Sequence, residues 1–355
     1  MPAISIDTFF ACSLMVLLVL SAMAGASKLL YPHITNTIGE NMGERYRETS
    51  KYILLNDGTP SNWGQNNQTI PEIFGLAKKN SNNPYELDID KVSRLNSENV
   101  YAFSYAQMFT ALKFSDVSLR IKMETFFDVA INLTAVFEAS NETTYQFEIL
   151  SRKYGVSVQT ELRCYVIAES YFESYYVFAS NGRSNLNITI PNDVDGPALL
   201  AVLARSTDDT QIVSFESYSL AHNSTEPQPG GAFLRLSPLN YSLTASFVYP
   251  ETMLSNAYAL TFDYSLTLTQ TSISNDSATY DVANFLDFSP TLLIVTGWNS
   301  TNFFTEWTAY PQIPLETGAD FADSMTLSDV YAYSYIVTIN SVLYKCTIWL
   351  GGPRN

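Results

Sequence analysis

The chain has 355 residues, and 35 Asp plus Glu against 19 Lys plus Arg leave a formal net charge of -16. That balance argues against nucleic acid, whose binding needs cations to displace phosphate counterions, and against a basic patch for anionic lipid. Charged residues make up 15%, against ~25% in ordinary soluble domains, and 23 Tyr and 21 Phe stand among abundant Ser, Thr and Asn. Such a mixture favours β-structure with a neutral polar surface. Two His and three Cys leave little material for metal or nucleophile chemistry. The expectation is a non-enzyme without cofactor or metal.

In chain order, the first feature is Phe9 to Ser27, a run without charge, Asn, Gln or His. As a helix at ~1.5 Å per residue it matches the ~30 Å apolar thickness of a bilayer. A cleaved secretory signal would use Ala24-Gly25-Ala26, but Asp7 is the ionisable side chain ahead of the run, and a signal needs positive charge there. A retained membrane helix is therefore expected. Beyond it, Ile34, Ile38 and Met42 continue a helical spacing past Pro32, where a kink is expected, until Asp57-Gly58-Thr59-Pro60 stops it.

Counted from Ala3, Asp7 is the fifth residue and sits directly before the apolar run. This resembles the mature N-terminus of archaeal type IV pilin-like surface proteins. The resemblance covers about the first 55 residues. It implies that Asp7 pairs with a neighbouring subunit's N-terminal amine, and it gives assembly roles to Ala3, Asp7, Cys12, Gly25 and Pro32. Read from physics alone, Asp7 also serves as a helix N-cap, where a negative charge suits the dipole.

Residues 57–116 read as a small module of loops and short helices. Asp88 or Asp90 caps one helix, and Ser104 with Gln107 forms a capping box for another. Trp63 reads as a core anchor. From residue 117 the pattern alternates, first in Leu119, Ile121 and Met123, then in Leu162, Cys164 and Val166, and most clearly from Leu260 to Leu268. Asn340-Ser341 reads as a two-residue hairpin turn. Pro227-Gln228-Pro229-Gly230-Gly231 divides this region. The apolar run from Pro197 to Val202 is echoed by Pro290 to Val295. The stretch from Gly155 to Leu203 resembles the Ig-like modules of surface proteins.

The expected fold is α+β and mostly β. A long N-terminal membrane or filament helix and stalk occupies 1–56 and a loop-helix module 57–116. Two tandem antiparallel Ig-like β-sandwiches follow, at 117–228 and 229–355. Eight Asn-X-Ser/Thr sequons, at Asn67, Asn132, Asn141, Asn187, Asn223, Asn240, Asn275 and Asn299, mark expected N-glycans. Asn192-Asp193-Val194-Asp195-Gly196 echoes a calcium loop without its later acid and reads as a polar turn. Asp320 and Asp323 read the same way. Cys164 and Cys346 are expected on inward faces as two free thiols or one disulfide. The expected role is a structural, pilin-like surface protein with membrane or filament subunits, a homo-oligomer and glycans as partners, its domains exposed at the cell exterior. The alternatives are a non-polymerising anchored adhesin and a tethered carbohydrate hydrolase.

Overall fold

A computed structural model describes residues 6–113, 117–224, 226–284, 290–321 and 330–351, with the backbone alone described over 6–13 and 25–41. The chain divides into two units, Met1–Lys51 and Tyr52–Asn355. Helix α1 covers Ile6–Leu55. Its apolar run is fewer than half of its residues, and from Lys28 onward it carries charges on both sides of neutrality. Among the described residues no helix is long and apolar enough to cross a membrane. The expected membrane or filament helix, and the pilin-like layout built on it, are corrected accordingly. The fold is mostly β, in several antiparallel sheets, and the helices wholly inside the second unit are short. The reason is compositional: β-branched and aromatic residues alternate through most of the chain beyond residue 117.

The 57–113 module is held by buried polar groups. Helix α2 (Ile89–Ser93) starts at Asp88, whose carboxylate accepts from the Asp90 and Lys91 N–H groups. Helix α3 (Tyr105–Leu112) starts with the Ser104/Gln107 capping box. Trp63 is fully buried, donates Nε1–H to the Gly75 carbonyl at 3.0 Å, and packs on Phe74 and Phe103. Lys91 donates to the Asp57 and Ala77 carbonyls at 2.9 and 2.7 Å, while Arg94 gathers the carbonyls of Trp63, Asn66, Thr69 and Tyr101.

Strand β1 (Ser118–Glu124) does not belong to the first sandwich. It pairs with β18 (Leu315–Gly318) and β20 (Val342–Gly351), and β20 pairs with β19 (Val330–Ile339). The boundaries 117–228 and 229–355 therefore cut across this sheet, which joins strands about 200 residues apart. The β19–β20 hairpin turns at Asn340-Ser341, both at positive φ, as a type I′ turn requires. The helical module reaches the same sheet, because Leu87 N–H donates to the Thr338 carbonyl and Thr338 N–H to that of Tyr85.

Between these ends lie two sandwiches with one strand order. In the first, β2 (Asp128–Glu138), β3 (Glu142–Lys153), β4 (Val156–Ser157) and β7 (Arg183–Pro191) form one sheet, with β3 central. Its partner runs β6 (Phe172–Ala179), β5 (Thr160–Ile167), β8 (Ala198–Ser206), β9 (Val213–Leu220). In the second, β10 (Leu234–Leu239), β11 (Ser242–Phe247), β15 (Ser277–Asp281) and β14 (Thr269–Ile273) lie in that order. They face β13 (Ser265–Thr267), β12 (Thr252–Leu260), β16 (Thr291–Asn299) and β17 (Asn302–Tyr310). The orders β2-β3-β7 and β6-β5-β8-β9 recur as β10-β11-β15 and β13-β12-β16-β17.

The first core joins Phe147, Ile149, Leu162, Cys164, Leu200 and Val202 between its two sheets. A second apolar layer joins the two sandwiches to each other. Tyr165, Ile167, Leu199, Ala201 and Leu203 of one sheet pack on Leu260, Phe262, Leu292, Ile294 and Ala309 of the other. Alternate residues of β8 thus face different cores, and β8 is buried along almost its whole length. Strand β16 is buried in the same way. This accounts for the echoed apolar runs, since a strand buried on both faces loses its alternation. The alternation from Leu260 to Leu268 proves to be two strands: β12 ends at Leu260, a turn closes with Thr261 N–H on the Tyr264 carbonyl, and β13 begins at Ser265.

Candidate functional site: an open aromatic edge

Strand β6 is the outer strand of its sheet and pairs with β5 in unbroken register from Ile167↔Phe172 to Thr160↔Ala179. Its sequence, Phe-Glu-Ser-Tyr-Tyr-Val-Phe-Ala, contains no Gly, Pro, Lys or Arg. Phe172, Ser174, Tyr176 and Phe178 share the face that looks toward the second sandwich. Phe172 stacks on Tyr258 at 5.1 Å, and Tyr176 meets Phe262 edge-on at 6.5 Å. The opposing edge strand, β13, has only three residues, so this face is left partly uncovered. Tyr176 is 56% exposed, Phe178 47%, and the nearby turn residue Tyr264 56%.

A polar ladder lies behind these rings. Arg205 donates Nη2–H and Nε–H to Glu161 Oε2 at 2.9 and 3.3 Å, and Nη1–H to Asp263 Oδ1 at 3.4 Å. Its guanidinium sits 3.9 Å over the Phe262 ring. The Arg205 hydrogen bonds hold the Glu161 carboxyl below its ordinary range. On the other face of β6, the Tyr171 and Tyr175 hydroxyls both donate to Glu173 Oε2. Those bonds lower the Glu173 carboxyl, Tyr171's foremost, while burial and the Glu173 bond push the Tyr175 hydroxyl up to about 12. The one charge on the strand is therefore tied to its own neighbours.

Elsewhere three buried polar side chains, His222, Glu306 and Asp90, have structural partners. His222 is buried, with Nε2–H donating to the Pro191 carbonyl at 3.0 Å and Nδ1 accepting from Tyr145 at 2.9 Å. Glu306 accepts from the Gly231 and Phe233 N–H groups at 2.7 and 2.9 Å and so fastens the Pro227–Gly231 connection to β17, and burial raises its carboxyl. Asp90 accepts from the Tyr310 hydroxyl at 2.6 Å and the Asn240 N–H at 2.7 Å, and burial raises it to about 6. Cys164 and Cys346 are buried, free, and lie in different sheets, with both thiols pushed by burial to about 12.

Asn67, Asn132, Asn141, Asn187, Asn223, Asn240 and Asn275 are exposed, and Asn299 is half-buried. Asn223 donates Nδ2–H to the carbonyls of Asn192 and Val194 at 2.7 and 3.2 Å. In the calcium-like loop, Asn192 is engaged with Thr143 and the Ala139 carbonyl. Asp320 is exposed beside Arg120 at 3.7 Å, and Asp323 lies outside the described residues. Ala3 also lies outside them, and of Asp7, Cys12, Gly25 and Pro32 only the backbone, within α1, is described. The Glu161–Arg205–Asp263 ladder escaped the sequence reading, because its members are 44 to 102 positions apart and carry no motif spacing. A usable signal was the eight-residue run of β6 without a breaker or a lysine.

No family model matches the chain, and no curated protein matches it. Among solved structures it is similar to the crystal structure of S. aureus TarS at 8% identity, over 50% of this chain and 39% of that one. The TM-score is 0.15, which carries no argument about fold or activity.

Proposed function

We propose that the protein is a structural, non-catalytic component of an exterior surface, and that its repeated sandwiches act as one stiff block. The observation that carries this reading is the apolar layer between β5, β8 and β12, β16, which leaves the two sandwiches little freedom to move apart. Rigid spacing is useful to a scaffold, and the buried carboxylates Asp90 and Glu306 serve the fold by holding loops rather than facing a cleft together. The low charge and the exposed sequons suit a glycosylated exterior. Asn132 on β2 and Asn187 on β7 project from the outward side of their sheet.

Glycopeptide mass spectrometry on protein from its native source tests the reading, together with protease accessibility on intact cells. Glycan is expected on Asn132, Asn141, Asn187 and Asn275. Asn223 is expected to stay bare, since its amide is committed to two carbonyls. A wholly unmodified protein shielded from external protease would overturn the assignment.

A further inference from the structure

The two sandwiches repeat one strand order, so their residues can be matched position by position. The echoed apolar runs align Leu199 with Leu292 and Val202 with Val295. Each run pairs with the outer strand beside it, Val202 with Glu216 of β9 and Val295 with Glu306 of β17. Glu216 and Glu306 therefore hold one position of the repeated order, and burial raises both carboxyls. Their partners differ. Glu306 accepts the Gly231 and Phe233 N–H groups of the connection ahead of β10. The matching segment ahead of β2, residues 125–127, engages Ser214 through the Thr125 hydroxyl. Among the described residues, the hydrogen bond recorded for the Glu216 carboxylate comes from its own neighbour, Ser217 N–H, at 2.9 Å. A half-buried carboxylate with one local donor has acceptor positions to spare.

Glu216, Tyr218 and Leu220 alternate onto one face of β9, and Tyr218 and Leu220 line a cleft of about 540 Å³. Leu133 and Val136 of β2 supply apolar wall, and Val136 is 45% exposed. Glu138 and Glu226 also line the cleft, and no Lys or Arg does. We infer that this cleft takes an extended, basic polypeptide segment of a partner. The segment gives backbone N–H groups to Glu216, apolar side chains to Leu133 and Val136, and a Lys or Arg to Glu138 or Glu226. The occupant follows from the second sandwich, where the segment that holds Glu306 reads Pro-Gly-Gly-Ala-Phe-Leu-Arg-Leu from Pro229 to Leu236. It carries the N–H donors, the apolar side chains and one cation. Main-chain bonds give such contacts affinity, and side-chain pockets give them selectivity. Charge complementarity favours the same occupant, because a basic segment is drawn to a chain of net charge -16. The site goes beyond the structural role proposed above and does not depend on it.

The probe is a fluorophore-labelled synthetic peptide with the sequence of residues 229–236, titrated into the full chain. Saturable binding is expected by anisotropy, with hydrogen-exchange protection at 133–138 and 216–226. N-methylation of the peptide at its Gly231 and Phe233 positions, or Glu216→Ala in the protein, should weaken binding about tenfold or more, since each removes bonds to a carboxylate. Glu138→Lys with Glu226→Lys should weaken it as much, and both side chains are exposed, so the fold is kept. Asp208→Lys with Asp209→Lys makes the same charge change between β8 and β9, away from the cleft, and should leave the affinity nearly unchanged. The absence of saturable binding, or protection elsewhere on the chain, would overturn the inference. So would full affinity in Glu216→Ala, or equal weakening by the two lysine pairs, which would assign the attraction to net charge alone.

Discussion

Asp90 shows how much a single buried carboxyl contributes to the fold's response to pH. Its folded value near 6 lies above the ordinary 3.8, so the folded chain holds the proton more tightly than the unfolded one. Stability from this group is therefore greatest at low pH, falls as pH rises from about 4 to about 6, and is flat above. The full swing is about 3 kcal/mol. Asp90→Asn keeps an acceptor for Tyr310 and Asn240 and should remove that slope. Urea unfolding of both proteins between pH 4 and 7 checks it, and parallel curves would contradict it. The two buried thiols make a second residue-scale case. In a Cys12→Ser chain neither Cys164 nor Cys346 should react with a disulfide reagent until denaturant is added, while rapid native labelling would show that one of these strands opens readily. Both inward positions were legible from alternation with Leu162 and Val166, or with Tyr344 and Ile348. The Asp90 site was not, because Asn240 and Tyr310 are 150 and 220 positions away.

At the scale of elements, local chemistry was the readable part. The Ser104 capping box, the Asp88 cap and the Asn340-Ser341 turn each rest on residues within four positions. Pairings between distant strands were not readable: β1 pairs with β18 and β20, about 200 positions further along the chain. The two-strand nature of 260–268 was hidden for another reason: the turn at Phe262 and Asp263 happens to preserve the alternation. Glu306 ties an element to its connection. Glu306→Ala removes the acceptor for the Gly231 and Phe233 N–H groups and should cost about 1 to 3 kcal/mol. Glu306→Gln should cost less, because its amide oxygen still accepts. Equal losses in thermal unfolding would assign the effect to packing instead.

For the whole molecule, the repeated strand order and the layer between the sandwiches matter more than any single site. The echo between residues 197–202 and 290–295 was visible in the sequence. Its cause was not, since burial on two faces depends on a partner sheet about 90 residues away. The N-terminal apolar run invited a membrane reading on length and composition alone, and those properties do not decide how a 50-residue helix is used. The central claim is that the two sandwiches behave as one block. Ile294 is fully buried in the joining layer, and Ile294→Ala should cost about 2 to 5 kcal/mol. Hydrogen exchange by mass spectrometry on the full chain, with and without this substitution, tests the claim most directly. In the unsubstituted protein β8 and β16 should be the slowest segments and open with the same free energy. In the variant, protection should fall in β8 as much as in β16. Loss confined to β16, with β8 unchanged, would mean that the sandwiches open independently and would contradict the account.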